Sequence, residues 1–226
     1  MELNASIRDI PMPERIARLP ISPTGFPVPW FVAWFDVEAL DGTKSKVPDF
    51  RVVDTPKLAI AHNRKRCWVC GDRLGRQFAM TIGPMCAISR VISEPPSHRE
   101  CAIYAALACP FLANPRMRRN EKGLPVHREA AGNGIRRNPG AMAVWITRSY
   151  RPLRVSNGSG VLFTFEDEPE EVLWFAEGRT ATRAEVVHSI DTGIHLLVEE
   201  AEKQGPPALA ALTQQIEDVQ KYLPAA

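Results

Sequence analysis

Arg66-Cys67-Trp68-Val69-Cys70-Gly71 sets two thiols three positions apart, with a glycine directly behind the second. Two ligands separated by two residues can reach one ion, because a tight knuckle or a single helical turn brings both side chains to one side. Gly71 stands where such a knuckle calls for a positive φ or a close backbone approach to sulfur. All five cysteines of the 226-residue chain fall between Cys67 and Cys109. An odd number confined to so short a stretch suits a local metal site in a reducing compartment better than a disulfide framework.

Reading outward, His98 and Cys101 make a second pair at i and i+3, which places both on one face of a helical turn. Ser97 and Glu100 have the spacing of a capping box that opens this helix, and the apolar run through Leu107 carries it to Pro110. Between the two pairs, Phe78-Ala79-Met80-Thr81-Ile82 and the run from Cys86 to Ile92 are short and apolar and are split by Gly83-Pro84. That pattern predicts a hairpin.

Knuckle, hairpin, then a helix donating two ligands from its first turn is the order of a treble-clef zinc finger, and residues 67–109 resemble that family. The resemblance implies zinc as the cofactor and Cys67, Cys70, His98 and Cys101 as its ligands. It implies a site, not a biochemical role. Cys86, beside Gly83-Pro84-Met85, leaves open an all-thiolate set of Cys67, Cys70, Cys86 and Cys101. Cys109, followed by Pro110-Phe111, reads as core, and His62, His127, His188 and His195 have no paired ligand nearby. The stretches Cys67 to Gly71, Ile82 to Cys86 and Glu94 to Cys101 also resemble small zinc-finger proteins of bacteria and their phages, a likeness that carries no activity.

Catalysis at the metal has one point in its favour: His98-Arg99-Glu100 matches the His-x-Glu half of a nucleobase deaminase signature. In that family a Pro-Cys-x-x-Cys segment follows the histidine, whereas here Cys67 and Cys70 precede it and Arg66 stands in place of the proline. The capping box accounts for Glu100 without chemistry. No phosphate-cradling glycine loop, Gly-x-Ser-x-Gly elbow or His-Glu-x-x-His helix occurs. A closed structural site is the expectation.

Charge supplies the second signal. Residues 57–160 carry 18 Lys and Arg against 5 Asp and Glu, while residues 161–226 carry 4 against 13. A basic stretch of this kind suits contact with a polyanion, and an acidic one can mask it. Arg64, Lys65 and Arg66 abut the knuckle, and Arg116, Arg118, Arg119, Lys122, Arg136 and Arg137 follow the finger. These are the candidate nucleic-acid contacts. Trp30, Trp34 and Trp68 could stack on bases, although tryptophans in a strand more often serve the core.

The remaining segments give an α+β expectation. The prolines of residues 11–29 predict an extended arm, Trp30 to Phe35 and Phe50 to Val53 a hairpin around Asp41-Gly42, and Thr55-Pro56 the start of a helix. Residues 141–146 and 161–165 read as paired strands, Val172 to Phe175 as a short helix, and Thr182 with Glu185 as a second capping box. The helix it opens is interrupted near Gly193, and Pro206-Pro207 precedes a last amphipathic helix with Leu209, Leu212, Ile216 and Val219 on its stripe. The expected division is an N-terminal hairpin and zinc module over residues 1–112, a basic connector over 113–140 and an α+β C-terminal part over 141–226. No apolar run approaches the roughly 18 residues of a membrane span, and Met1-Glu2-Leu3-Asn4 lacks the character of a secretory signal, so a cytoplasmic setting is expected. The leading expectation is a zinc-stabilised, non-enzymatic protein contacting DNA or RNA through its basic middle. A protein-interaction factor and a zinc-dependent enzyme acting on nucleic acid or nucleotide stand as alternatives.

Overall fold

The computed structural model describes residues 2–38, 41–114, 117, 138, 140–154 and 161–225. They form a mixed α and β fold. The arm beginning at Glu2 is extended apart from a 3-10 turn at Ala5–Ile7 and one helical turn, α1 (Glu14–Ala17), which Pro13 opens without a side-chain cap. Proline tolerates this position because the first helical N–H groups lack partners in any case. The hairpin β1 (Val32–Glu38) and β2 (Lys44–Val53) is antiparallel as expected, and α2 (Thr55–Asn63) follows with Pro56 in its first turn.

Beyond the knuckle the structure departs from the sequence pattern. β3 (Phe78–Ile82) does not fold back on the next apolar run. That run is a helix, α3 (Pro84–Ser89), ending on a left-handed Arg90, followed by the two-residue strand β4 (Val91–Ile92). Next come α4 (Arg99–Ala108) and the single turn α5 (Pro110–Ala113). β3 pairs antiparallel with β5 (Met142–Thr147). β6 (Arg151–Arg154) and β7 (Val161–Thr164) pair with each other, and β7 also pairs with β4, so β5 and β7 are not partners. The segment read as a short helix is a strand, β8 (Glu171–Ala176), lying on β5 with the short β9 (Arg179–Thr180) outside it. The order of the larger sheet is β3-β5-β8-β9.

This sheet is covered on both faces. Met80, Ile82, Ala143, Trp145 and Trp174 pack toward α3, α6 (Arg183–Asp191), α7 (Ile194–Gln204) and α8 (Pro206–Val219), whereas Ala79, Val144, Ile146 and Phe175 pack against Ala102 and Ala106 of α4. Every residue of β5 is buried. A strand enclosed in this way shows no alternation, which is why its sequence is a continuous apolar run. Thr182 caps α6 by accepting from the Glu185 N–H, and Glu185 returns the bond, so this capping box is as expected. On α8, Leu212 and Val219 are buried and Leu209 and Ile216 pack against the same core, so the stripe faces inward. Among the described residues, no helix is long and apolar enough to cross a membrane.

Candidate metal centre

Two small structures bring the ligands together. The knuckle is closed by an antiparallel bridge between Arg66 and Arg73 and by bonds from the Cys67 N–H to the Asp72 carbonyl at 2.7 Å and from the Gly71 N–H to the Cys67 carbonyl at 2.9 Å. Gly71 takes φ +79°, and a Cβ there would lie 2.6 Å from Trp30 Cγ. Glycine is required twice over, for the left-handed backbone and for the indole on top of it. The second pair hangs on the sheet: Ser97 exchanges two backbone bonds with Ala79 of β3, at 2.8 and 3.0 Å, and the chain then turns into α4. Because Ser97 is held as a strand residue, the helix begins one position later, with His98 at the N-cap and no side-chain cap. The expected Ser97–Glu100 capping box is therefore absent, and Glu100 pairs with Arg15 at 3.2 Å.

The result is a cluster of Cys67, Cys70, His98 and Cys101 whose ligand atoms all lie within 4.8 Å of one another. His98 Nδ1 is 3.4 Å from Cys70 Sγ and 3.9 Å from Cys101 Sγ. A tetrahedral zinc with sulfur at about 2.3 Å has ligand-to-ligand edges of about 3.8 Å, so the donors stand at the separations such an ion needs. The supporting bonds fit as well. His98 Nε2 is 3.1 Å from the Arg73 carbonyl, which fixes the tautomer that leaves Nδ1 free to ligate, and the backbone N–H groups of Cys70 and His98 each approach Cys67 Sγ at 3.4 Å. All three bonds orient ligands; the bond to the Arg73 carbonyl raises the basicity of His98, while the N–H donors stabilise the Cys67 thiolate. Cys67 and Cys101 are fully buried.

Protonation follows this crowding. Burial alone would push the Cys67 thiol up, but hydrogen bonds with Cys101, Cys70 and His98 together outweigh it and draw it far down. His98, hydrogen-bonded first to Cys67 and then to Cys70, is raised to about 10. Cys101 is held as the thiol by its bonds to Cys67 and Cys70. Protons held by Cys101 and His98 are ones that a dication would displace. Three thiols and one imidazole suit zinc, and an ion held by all four would have a complete tetrahedral set of protein ligands. No family model, curated protein or solved structure matches this chain.

Cys86 is not part of the cluster. It sits on α3 against the core of the larger sheet, where burial, with a smaller contribution from Glu94, pushes its thiol up to about 11. Cys109 caps the end of α4 and is likewise outside the cluster. Trp68 is buried and stacked on Phe31 at 4.8 Å, while Trp30 lies over Gly71. Trp34 keeps 37% of its surface exposed on the hairpin.

The knuckle also gathers charge. Arg64, Lys65, Arg73 and Arg76 are exposed and Arg66 half-buried, and none of the five forms a salt bridge among the described residues. Asp72, the acid within this stretch, is taken by Arg15 at 2.9 Å. Arg66 donates to the Gly71 carbonyl at 2.8 Å, and Lys65 Nζ lies 5.9 Å from the Phe78 ring centroid. Arg73 and Arg76 escape a reading based on charge runs because they stand alone in sequence; the Arg66–Arg73 bridge is what brings one of them beside the run. Arg116, Arg118, Arg119, Lys122, Arg136 and Arg137 lie outside the described residues.

Proposed function

We propose that the protein is a zinc-stabilised binding protein, treble-clef-like in its knuckle and ligand-bearing helix but without the hairpin between them, that contacts nucleic acid through the basic edge of its knuckle. The observation that supports this reading is the set Arg64, Lys65, Arg66, Arg73 and Arg76, ordered by the knuckle and without carboxylate partners among the described residues. Cations already spent on acids gain little from phosphate, whereas free ones release counterions when they meet it. Arg116, Arg118, Arg119, Arg136 and Arg137 would extend the footprint. A closed four-ligand site gives the metal no open position for chemistry, which favours binding over an enzymatic role.

Fluorescence anisotropy of a labelled, unrelated-sequence oligonucleotide with the zinc-loaded protein tests the reading. Affinity is expected to fall linearly in log–log form with salt, and Arg73→Ala with Arg76→Ala to flatten the slope by about one for each phosphate no longer neutralised. Absence of binding at low salt would overturn it.

A protein-interaction role draws support from the exposed hairpin. Trp34, Val37, Val47 and Phe50 are 37 to 46% exposed on the β1–β2 hairpin. The charges there are internally matched, Glu38 facing Lys44 and Asp49 holding Arg51, so a partner would be chosen by apolar contact. Trp34 and Val37 stand on opposite faces of the hairpin, so Trp34→Lys with Val37→Lys would abolish such binding and leave oligonucleotide binding unchanged.

A further inference from the structure

The acidic stretch from Glu166 to Glu171 is anchored beside the knuckle rather than free in solvent. Glu171 accepts two bonds from Arg99, at 2.7 and 2.9 Å, and Arg99 directly follows the ligand His98. Glu170 accepts from Gln77 at 2.8 Å and also pairs with Arg148, and Gln77 directly follows Arg76. Asp167 accepts from the Ser149 hydroxyl. A chain of ring contacts closes the distance from the other side: Lys65 lies on Phe78, Phe78 meets Tyr150 edge-on at 5.0 Å, and Tyr150 lines one small cleft with Glu166, Asp167 and a single cation, Arg151. The stretch is thereby held at three points, and Glu166, Asp167 and Glu168 remain presented to solvent with no salt bridge among the described residues.

We propose that Glu166, Asp167 and Glu168 form a fixed negative boundary at the Arg76 end of the basic knuckle, limiting how far a nucleic-acid backbone extends across this face. The inference rests on the nucleic-acid reading above. A phosphate chain lying on Arg64, Lys65, Arg66, Arg73 and Arg76 meets these three carboxylates when it continues toward β7. Rigid anchoring matters, because a loop free to swing would move away from phosphate, whereas one pinned through Glu170 and Glu171 cannot. The boundary therefore selects for a short contact that ends at the knuckle.

The test compares zinc-loaded wild type with Glu166→Gln/Asp167→Asn/Glu168→Gln and with a control triple, Glu199→Gln/Glu202→Gln/Glu217→Gln, which removes the same charge from exposed positions on α7 and α8. The probe is a labelled single strand of about 20 nucleotides, long enough to outrun one such site, titrated at several salt concentrations, with thermal melts confirming that each variant is folded. The expected result is affinity raised about five-fold in the boundary triple with a steeper salt slope, and less than about two-fold in the control, as suits the removal of three screened repulsions from phosphate. Equal gains in both triples would mean that net charge alone acts, and would overturn the boundary. No gain in the boundary triple, with wild type binding normally, would overturn it and leave the knuckle reading in place. Binding only after the boundary is neutralised would mean that the native protein does not hold nucleic acid, and would overturn both readings. No binding by any of the three proteins would remove the nucleic-acid reading and the boundary together.

Discussion

The two cores of this molecule are held by different chemistry. Around the knuckle, Cys67, Val69, Leu74, Phe78, Cys101, Tyr104 and Ala108 pack with Ile7 and Ile16 from the N-terminal arm, so a small cluster borrows side chains from three places and contains two of the four ligands. Around the larger sheet, Met80, Ile82, Ile88, Trp145, Phe163, Phe165 and Val186 are all buried, from strands and helices that enclose one another. The second core is much the larger of the two, and burial is what closes it. The first is small, and a metal ion held by its ligands would add to what its packing contributes.

The strongest way to break this contrast is to remove the metal. Cys101→Ala, or a chelator, is expected to abolish zinc retention and forfeit a contribution on the order of 10 kcal/mol, the scale of structural zinc sites. Elemental analysis should fall from one zinc per chain to none. Hydrogen exchange should then lose protection over residues 67–74 and 98–104 and keep it in β5; equal loss in both regions would erase the distinction. Trp145→Ala should do the reverse. Trp145 is fully buried, under the Arg90 guanidinium at 3.8 Å and edge-on to Tyr222, and its truncation should cost about 3–5 kcal/mol in a denaturant titration while zinc stays bound.

Ile16→Ala sharpens the comparison by asking whether the arm belongs to the metal core. A cost of about 2–4 kcal/mol, with faster zinc loss to a chelator, is expected from a residue 1% exposed in that cluster. The smallest effect concerns α6, far in sequence from the ligands. Thr182→Ala should cost about 1 kcal/mol with no change in zinc retention. Glu185 is lowered to about 2, first by Arg179 and then by the Thr182 N–H and hydroxyl. Because its folded value is depressed, its contribution is complete above the ordinary carboxylate range and is lost as pH falls from about 4.5 toward 2. Glu185→Gln should flatten the acid limb of a stability profile in that window only.

Features encoded by neighbours in sequence were legible. The thiol spacing of Cys67 and Cys70, the i and i+3 placement of His98 and Cys101, the hairpin around Asp41-Gly42 and the Thr182–Glu185 cap each need only a few residues to express themselves. What escapes such a reading is decided by distant partners. Local pattern pairs β3 with the run that follows it, whereas its true partner begins at Met142. Val172 to Phe175 has no alternation to mark it as a strand, since β8 lies between β5 and β9 and is largely buried. Ser97 has the composition of a helix cap but spends its backbone on Ala79, a contact 18 positions away. The coming together of the four ligands was legible; Arg15 reaching across to Asp72 and Glu100 was not, because nothing local announces it.

β3 has one edge on β5 and the other on Ser97, and this has a consequence for the order in which the chain assembles. During synthesis the Ala79–Ser97 side can close as soon as α4 has emerged, while the β5 side must wait for about 40 further residues, some 2–8 s at ordinary elongation rates. Through that interval β3 carries an open edge of strongly apolar sequence, the kind that recruits a neighbouring nascent chain. An ion captured early by Cys67, Cys70, His98 and Cys101 would fix both flanks of the strand and hold it in register for a partner not yet made. The metal would then act as a timekeeper for the sheet as well as a brace for the knuckle.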